Sequence, residues 1–180
     1  MRPISYKLDL RPLDRVVRDV RAACQRAGTI EPMDRLFSLW GVRYLAFAKR
    51  RFSTFSRGGG DWPPLRRARR RVARPTWSGP RKHAILVDTG TLFGALDIGA
   101  PGNLYRRTSG GFEVGFGGPA RHPKGRLTIA RLAAIHNQGL PPVPRRQIIV
   151  LPDSQTAKGM KADAVAMAQK TMARYGKRSR

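Results

Sequence analysis

The segment Ala84-Ile85-Leu86-Val87-Asp88-Thr89-Gly90-Thr91-Leu92 decides how the chain is read, because four apolar residues run directly into Asp-Thr-Gly. If those four are the end of a hydrophobic strand, Asp88 takes the place of the catalytic carboxylate in an aspartic-protease half-site. Such a site needs two carboxylates sharing a proton, so one Asp-Thr-Gly per chain would require a dimer. Alternatively, Asp88 or Thr89 caps a short helix carrying Leu92, Phe93 and Leu96. Those positions fall at i, i+1 and i+4, and an Asp or Thr oxygen accepts the first free backbone N–H groups of a helix. The spacing favours the cap, and the segment lies between helical patterns rather than inside a sheet-rich chain.

On the N-terminal side, Ile4, Tyr6, Leu8 and Leu10 alternate weakly, as a strand would. Pro12 suits a first helical turn, and Leu13, Val16, Val17, Val20, Cys24 and Ala27 then recur at three and four residues until Gly28. Thr29 opens a second and longer helix, with Met33, Leu36, Phe37, Trp40, Tyr44 and Phe47 on one stripe and an end before Gly58-Gly59-Gly60. The aromatic stripe reads as a core face packed on a sheet; base stacking by Trp40 or Tyr44 is the weaker reading. Asp61-Trp62-Pro63-Pro64-Leu65 reads as a structural corner, since prolines fix the chain direction and the indole needs cover.

Beyond it, Arg66, Arg67, Arg69, Arg70, Arg71, Arg74, Arg81 and Lys82 put eight positive charges into seventeen residues with no acid among them. Such a density implies an anionic counter-surface, either phosphates or an acidic protein face.

On the C-terminal side, Asn103 to Thr108 and Phe112 to Phe116 form a predicted hairpin around Ser109-Gly110-Gly111. The glycines after it lack the Lys-Ser/Thr ending of a phosphate loop. Thr128 is the expected cap of a helix running to His136-Asn137-Gln138-Gly139. Three prolines follow, and Gln147 to Leu151 reads as a buried strand. Asp153 or Ser154 caps a last helix with Met160, Ala164, Val165, Met167, Ala168 and Met172 as its apolar residues. Lys177 and Arg178 lie in a basic tail.

The 180 residues are 41% hydrophobic, enough for a real core, and 36 Lys and Arg against 11 Asp and Glu give a formal net charge of +25. A lone Cys24 excludes an internal disulfide and cysteine-rich zinc sites, fits a reducing compartment, and sits at helical spacing as a small core residue. No apolar run approaches the roughly 18 residues of a membrane span, and Met1-Arg2-Pro3-Ile4 lacks the apolar stretch of a secretory signal, as expected of an intracellular protein. His83, His122 and His136 have no metal-site spacing, and no Ser–His–Asp order stands out. No cofactor, metal or catalytic constellation is expected.

The expected fold is α+β: a small, mostly antiparallel sheet packed against a long N-terminal helix and a C-terminal helix, with extended basic loops. It would form one domain over residues 1–175, helical to about 57 and a basic loop over about 58–83, with a basic tail at 176–180.

Six landmarks occur in order: Phe52 before a glycine-rich gap, Gly60 to Leu65, Ile85 to Leu92, Phe112 to Gly115, Ala134 to Gly139, and Val143 to Ile149. This series resembles the tailed-bacteriophage virion morphogenesis family, the tail-completion and neck proteins related to phage Mu protein G. The family pattern is approximately Arg-Phe, Gly-x-x-Trp-x-Pro-Leu, Leu-x-Asp-Thr-Gly-x-Leu, Val-x-Val-Gly, Ala-x-Ile-His-x-x-Gly and Pro-Ala-Arg-Pro-Phe. The match spans roughly residues 32 to 170. It departs from the pattern in a longer Gly-Pro-Arg-rich insertion (Gly117 to Lys124) and in Arg146-Gln147-Ile148, which replaces Arg-Pro-Phe.

The resemblance implies a non-enzymatic structural subunit of the virion, placed at the head–tail junction in a ring of six or twelve copies. Its partners would be portal or connector proteins, tail-terminator or tail-tube proteins, and double-stranded DNA, with no membrane. Trp62, Pro64, Leu65, Asp88, Thr89, Gly90, Leu92, His136 and Gly139 would be structural motif residues. The alternatives are a general nucleic-acid-binding protein and the dimeric protease.

Overall fold

A computed structural model describes residues 4–7, 14–63, 86, 89–108 and 111–175. The chain is α+β, as expected: β1 (Ile4–Lys7), α1 (Asp14–Ala27), α2 (Glu31–Ser56), α3 (Thr91–Gly94), β2 (Asn103–Thr108), β3 (Gly111–Phe116), α4 (Ile129–Gln138) and α5 (Ser154–Tyr175). The strands lie in the order β1-β3-β2, with β2 and β3 forming the expected antiparallel hairpin. Contacts gather into two compact units that do not follow chain order.

One unit comprises Lys7–Tyr44, Arg106–Glu113 and Leu151–Arg180. Helix α1 buries Val17, Val20, Ala23 and Cys24 and packs on α5. Gly28 ends it at φ 62, the left-handed conformation that a helix stop favours and only glycine adopts freely. Thr29 Oγ1 accepts the Glu31 N–H at 3.3 Å, and Glu31 and Asp34 place negative charge where the α2 dipole is positive.

Trp40 and Tyr44 are fully buried, which excludes base stacking. The Trp40 indole donates to the Met160 carbonyl of α5 at 2.8 Å, so the long helix rests on the C-terminal helix as well as on the sheet. On the sheet side Phe37 meets Phe112 at 6.4 Å between ring centroids, and Arg107 lies over Phe37 while pairing with Asp34. Arg43 donates twice to Asp163, through Nε and Nη2, each at 2.8 Å.

Asp153 is the residue that caps α5, its carboxylate accepting the Thr156 N–H at 2.7 Å. The buried stripe of α5 is Met160, Ala164, Ala168 and Thr171. Val165 and Met172 are 38% and 48% exposed, because the four-residue repeat through Met160 turns them outward.

Strand β3 also departs from simple alternation: all six residues are buried, including Glu113. As the middle strand it is flanked on both edges, and the Glu113 carboxylate is neutralised by Arg106, whose Nε donates at 3.0 Å.

Candidate functional site

The other unit comprises Met1–Tyr6, Leu45–Tyr105 and Val114–Val150, and holds most of the landmark motifs. Its centre is Trp62. The indole meets Phe52 at 5.3 Å and Phe55 at 5.7 Å, both edge-on, and donates from Nε1 to the Gln147 carbonyl at 3.2 Å. Arg146, buried at 5% exposure, donates from Nε and Nη2 to the Pro63 carbonyl at 3.2 and 3.0 Å. The segments 62–63 and 146–147 are thus clipped together by one side chain from each, and the corner expected at Trp62 is a packed one. Phe52 also meets Phe93, over which Lys49 lies while pairing with Asp97.

The expected strand over Gln147 to Leu151 does not form. Ile148 and Ile149 are buried, as the hydrophobic run required, but their N–H groups go to one acceptor, Asn137 Oδ1, at 2.8 and 3.1 Å. A side-chain acceptor replaces the neighbouring strand, so the segment is an irregular strap pinned to the end of α4. Thr128 caps α4 as expected, accepting the Arg131 N–H. Gly139 ends it at φ 74, and a Cβ there would lie 2.6 Å from the Arg145 Cβ. His136 stands in the last turn and its carbonyl accepts the Arg146 N–H at 2.7 Å.

The capping expectation at Asp-Thr-Gly needs correction. The helix α3 is only four residues long, and Gly90, at φ 73, occupies its N-cap with no side-chain cap bond. Thr89 is one residue too early; its hydroxyl reaches the Thr91 N–H at 3.4 Å and otherwise bonds Thr91 Oγ1 at 2.5 Å and His122 Nε2 at 2.9 Å. Leu92 and Leu96 are buried, and α3 packs on α4. Asp88, Pro64 and Leu65 lie outside the described residues, as do Arg66, Arg67, Arg69, Arg70, Arg71, Arg74, Lys177, Arg178 and His83.

The Thr89–His122 pair does not have the arrangement of a base-activated nucleophile. His122 Nδ1 accepts the Lys124 N–H at 3.2 Å, so in the neutral ring the proton sits on Nε2 and is donated to Thr89. The imidazole therefore cannot take the hydroxyl proton and acts as a tie holding the following loop. That loop is ordered by its own backbone: Arg121 bridges Thr128, His122 N–H reaches the Leu127 carbonyl at 2.9 Å, Gly125 N–H the His122 carbonyl at 3.1 Å, and Ile129 N–H the Ala120 carbonyl at 2.8 Å. Arg121, Lys124 and Arg126 are exposed on it. The signal for this loop lies in the sequence as a charge pattern and not as a motif: between Glu113 and Asp153 there is no acidic residue, and there are six Arg and Lys.

Among the described residues no group of three or more His, Cys, Asp or Glu is placed to hold a metal ion, and no helix is long and apolar enough to cross a membrane. Compared with models of protein families, with characterised proteins and with solved structures, the chain matches none.

Proposed function

We propose that the chain is a non-enzymatic structural subunit of the head–tail junction of a tailed bacteriophage, a neck or tail-completion protein that joins or finishes head and tail. One observation carries the reading: the landmarks that occur in order along the sequence serve packing where they are described. Trp62, Phe52, His136, Gly139 and Arg146 hold one another, or each other's backbone, in a single unit. Residues so engaged build a scaffold, as the motifs of an assembly subunit would.

The net charge of +25 gives the scaffold a use. A closed ring of such subunits needs anionic neighbours to offset self-repulsion, and both packaged DNA and acidic faces of adjoining ring proteins supply them. In this reading Arg66 to Arg74 and the basic C-terminus carry those contacts. A lumen that was uniformly positive would retard DNA ejection, so part of the charge faces protein.

Electron microscopy of particles assembled without the chain tests the proposal. Filled heads and separate tails are expected; joined, infectious particles would refute it. The charge alone also favours a second reading, a general nucleic-acid-binding protein. That reading expects salt-dependent DNA binding to be the whole of the function, with head and tail joining in its absence.

A further inference from the structure

We infer that the ordered loop between β3 and α4, residues 117–128, is a finger that docks on the phosphate backbone of double-stranded DNA through Arg121, Lys124 and Arg126. The inference deepens the proposed function, and rests on it only for the identity of the polyanion as duplex DNA.

Four observations converge on this loop. First, all three side chains are exposed, and Arg121 and Arg126 make no ion pair among the described residues. Second, no acidic residue occurs in the loop or in the 24 positions from Ile129 to Pro152 that follow it, so this stretch of chain carries charge of one sign only. Third, the loop is held in shape by the Arg121–Thr128 bridge, its cross-loop backbone bonds and the His122 tie to Thr89. Cations on a fixed frame lose less freedom on binding than cations on a floppy tail.

Fourth, the composition of the finger selects the partner. A protein interface gathers its affinity in anchors seated in desolvated pockets, aromatic rings foremost with Arg beside them, and this loop pairs its two arginines with no aromatic ring and with Leu127 alone, 38% exposed, as an apolar group of any size. A single-stranded nucleic acid would be read by stacking on exposed aromatic rings, and the loop contains no Phe, Tyr or Trp. What remains is charge at fixed positions, which suits the regularly spaced phosphates of a duplex and carries no sequence preference.

The test uses the full chain and a mixed-sequence 30-base-pair duplex, with affinity followed by fluorescence anisotropy from about 50 to 300 mM salt. The triple variant Arg121→Gln/Lys124→Gln/Arg126→Gln should flatten the log-log salt slope by about 2.7, at roughly 0.9 per phosphate lost, and weaken binding at least about tenfold at the lowest salt. A control that removes the same charge from α1, Arg15→Gln/Arg18→Gln/Arg21→Gln, should change the slope much less. Equal effects of the two triples would mean that DNA senses only net charge, and would overturn the finger; so would a native chain that fails to bind the duplex at the lowest salt. The conservative Arg121→Lys/Arg126→Lys variant should keep the native slope, and its loss would trace the effect to loop shape, against the proposal. The two readings fail separately. A neutral finger that binds DNA normally sinks the finger and leaves the junction role standing, whereas particles that join without the chain sink the junction role and leave the finger.

Discussion

Asn137 accepts both the Ile148 and the Ile149 N–H groups on a single side-chain oxygen, at 2.8 and 3.1 Å. Two buried donors on a strap without a neighbouring strand depend on that atom. Asn137→Ala leaves both unsatisfied, and each stranded donor costs about 1–3 kcal/mol. At roughly 2–4 °C per kcal/mol for a chain of this size, thermal unfolding should fall by several degrees or more. Asn137→Asp keeps an acceptor and should lose less. Equal, small losses in the two variants would contradict the assignment.

Trp62 and Arg146 hold the same two segments from opposite sides, so their effects should not add. Trp62→Phe removes the bond to Gln147 and part of the contact with Phe52 and Phe55; Arg146→Met removes both bonds to Pro63. A double-mutant cycle read by denaturant unfolding should show coupling of about 0.5–3 kcal/mol, as residues sharing a contact do. Strict additivity would mean the clip is not one structural device.

Gly139 and Gly28 both end helices at positive φ, but only Gly139 is crowded, with the Arg145 backbone N 2.8 Å from where a Cβ would stand; Gly28 has nothing within 4 Å. Gly28→Ala should therefore cost only the left-handed backbone, about 1–2 kcal/mol, and Gly139→Ala clearly more. Comparison of the two midpoints in urea decides this, and a reversed order would count against the described end of α4.

The Cys24 thiol is pushed above its ordinary value, first by burial and further by the Asp34 charge, against an opposing hydrogen bond from the Met33 backbone. Because the folded value is the higher one, the stability it contributes is present below the unfolded-state value and is lost as pH rises through the folded one. The thiol should resist a thiol-reactive dye in the native protein near neutral pH and label on unfolding, and Cys24→Ala should reduce the fall in stability on the alkaline side. Rapid labelling of the native chain would show the site to be open.

Much of this fold was legible where structure is decided within a few residues. Gly28, Thr128, Gly139 and Asp153 are local stop and start signals, and α1, α4 and α5 begin or end at them. The β2–β3 hairpin followed from alternation around glycines. What could not be read locally was which distant group satisfies a segment. Ile148 and Ile149 are apolar enough for a strand, and only the position of Asn137 makes them a strap. Nothing next to Arg146 in the chain shows that it is buried with Nε and Nη2 both on the distant Pro63 carbonyl. At Thr89-Gly90, the N-cap position falls on a glycine at positive φ, so no side chain caps the short helix.

The measurement that bears most directly on the central claim is an electron cryomicroscopy map of the intact particle, at a resolution that shows helices. The account expects a closed ring between head and tail into whose density α2, α5 and the β2–β3 hairpin fit, with the same contacts repeated around the ring. A junction fully built from other chains, in particles that contain no copy of this one, would contradict it.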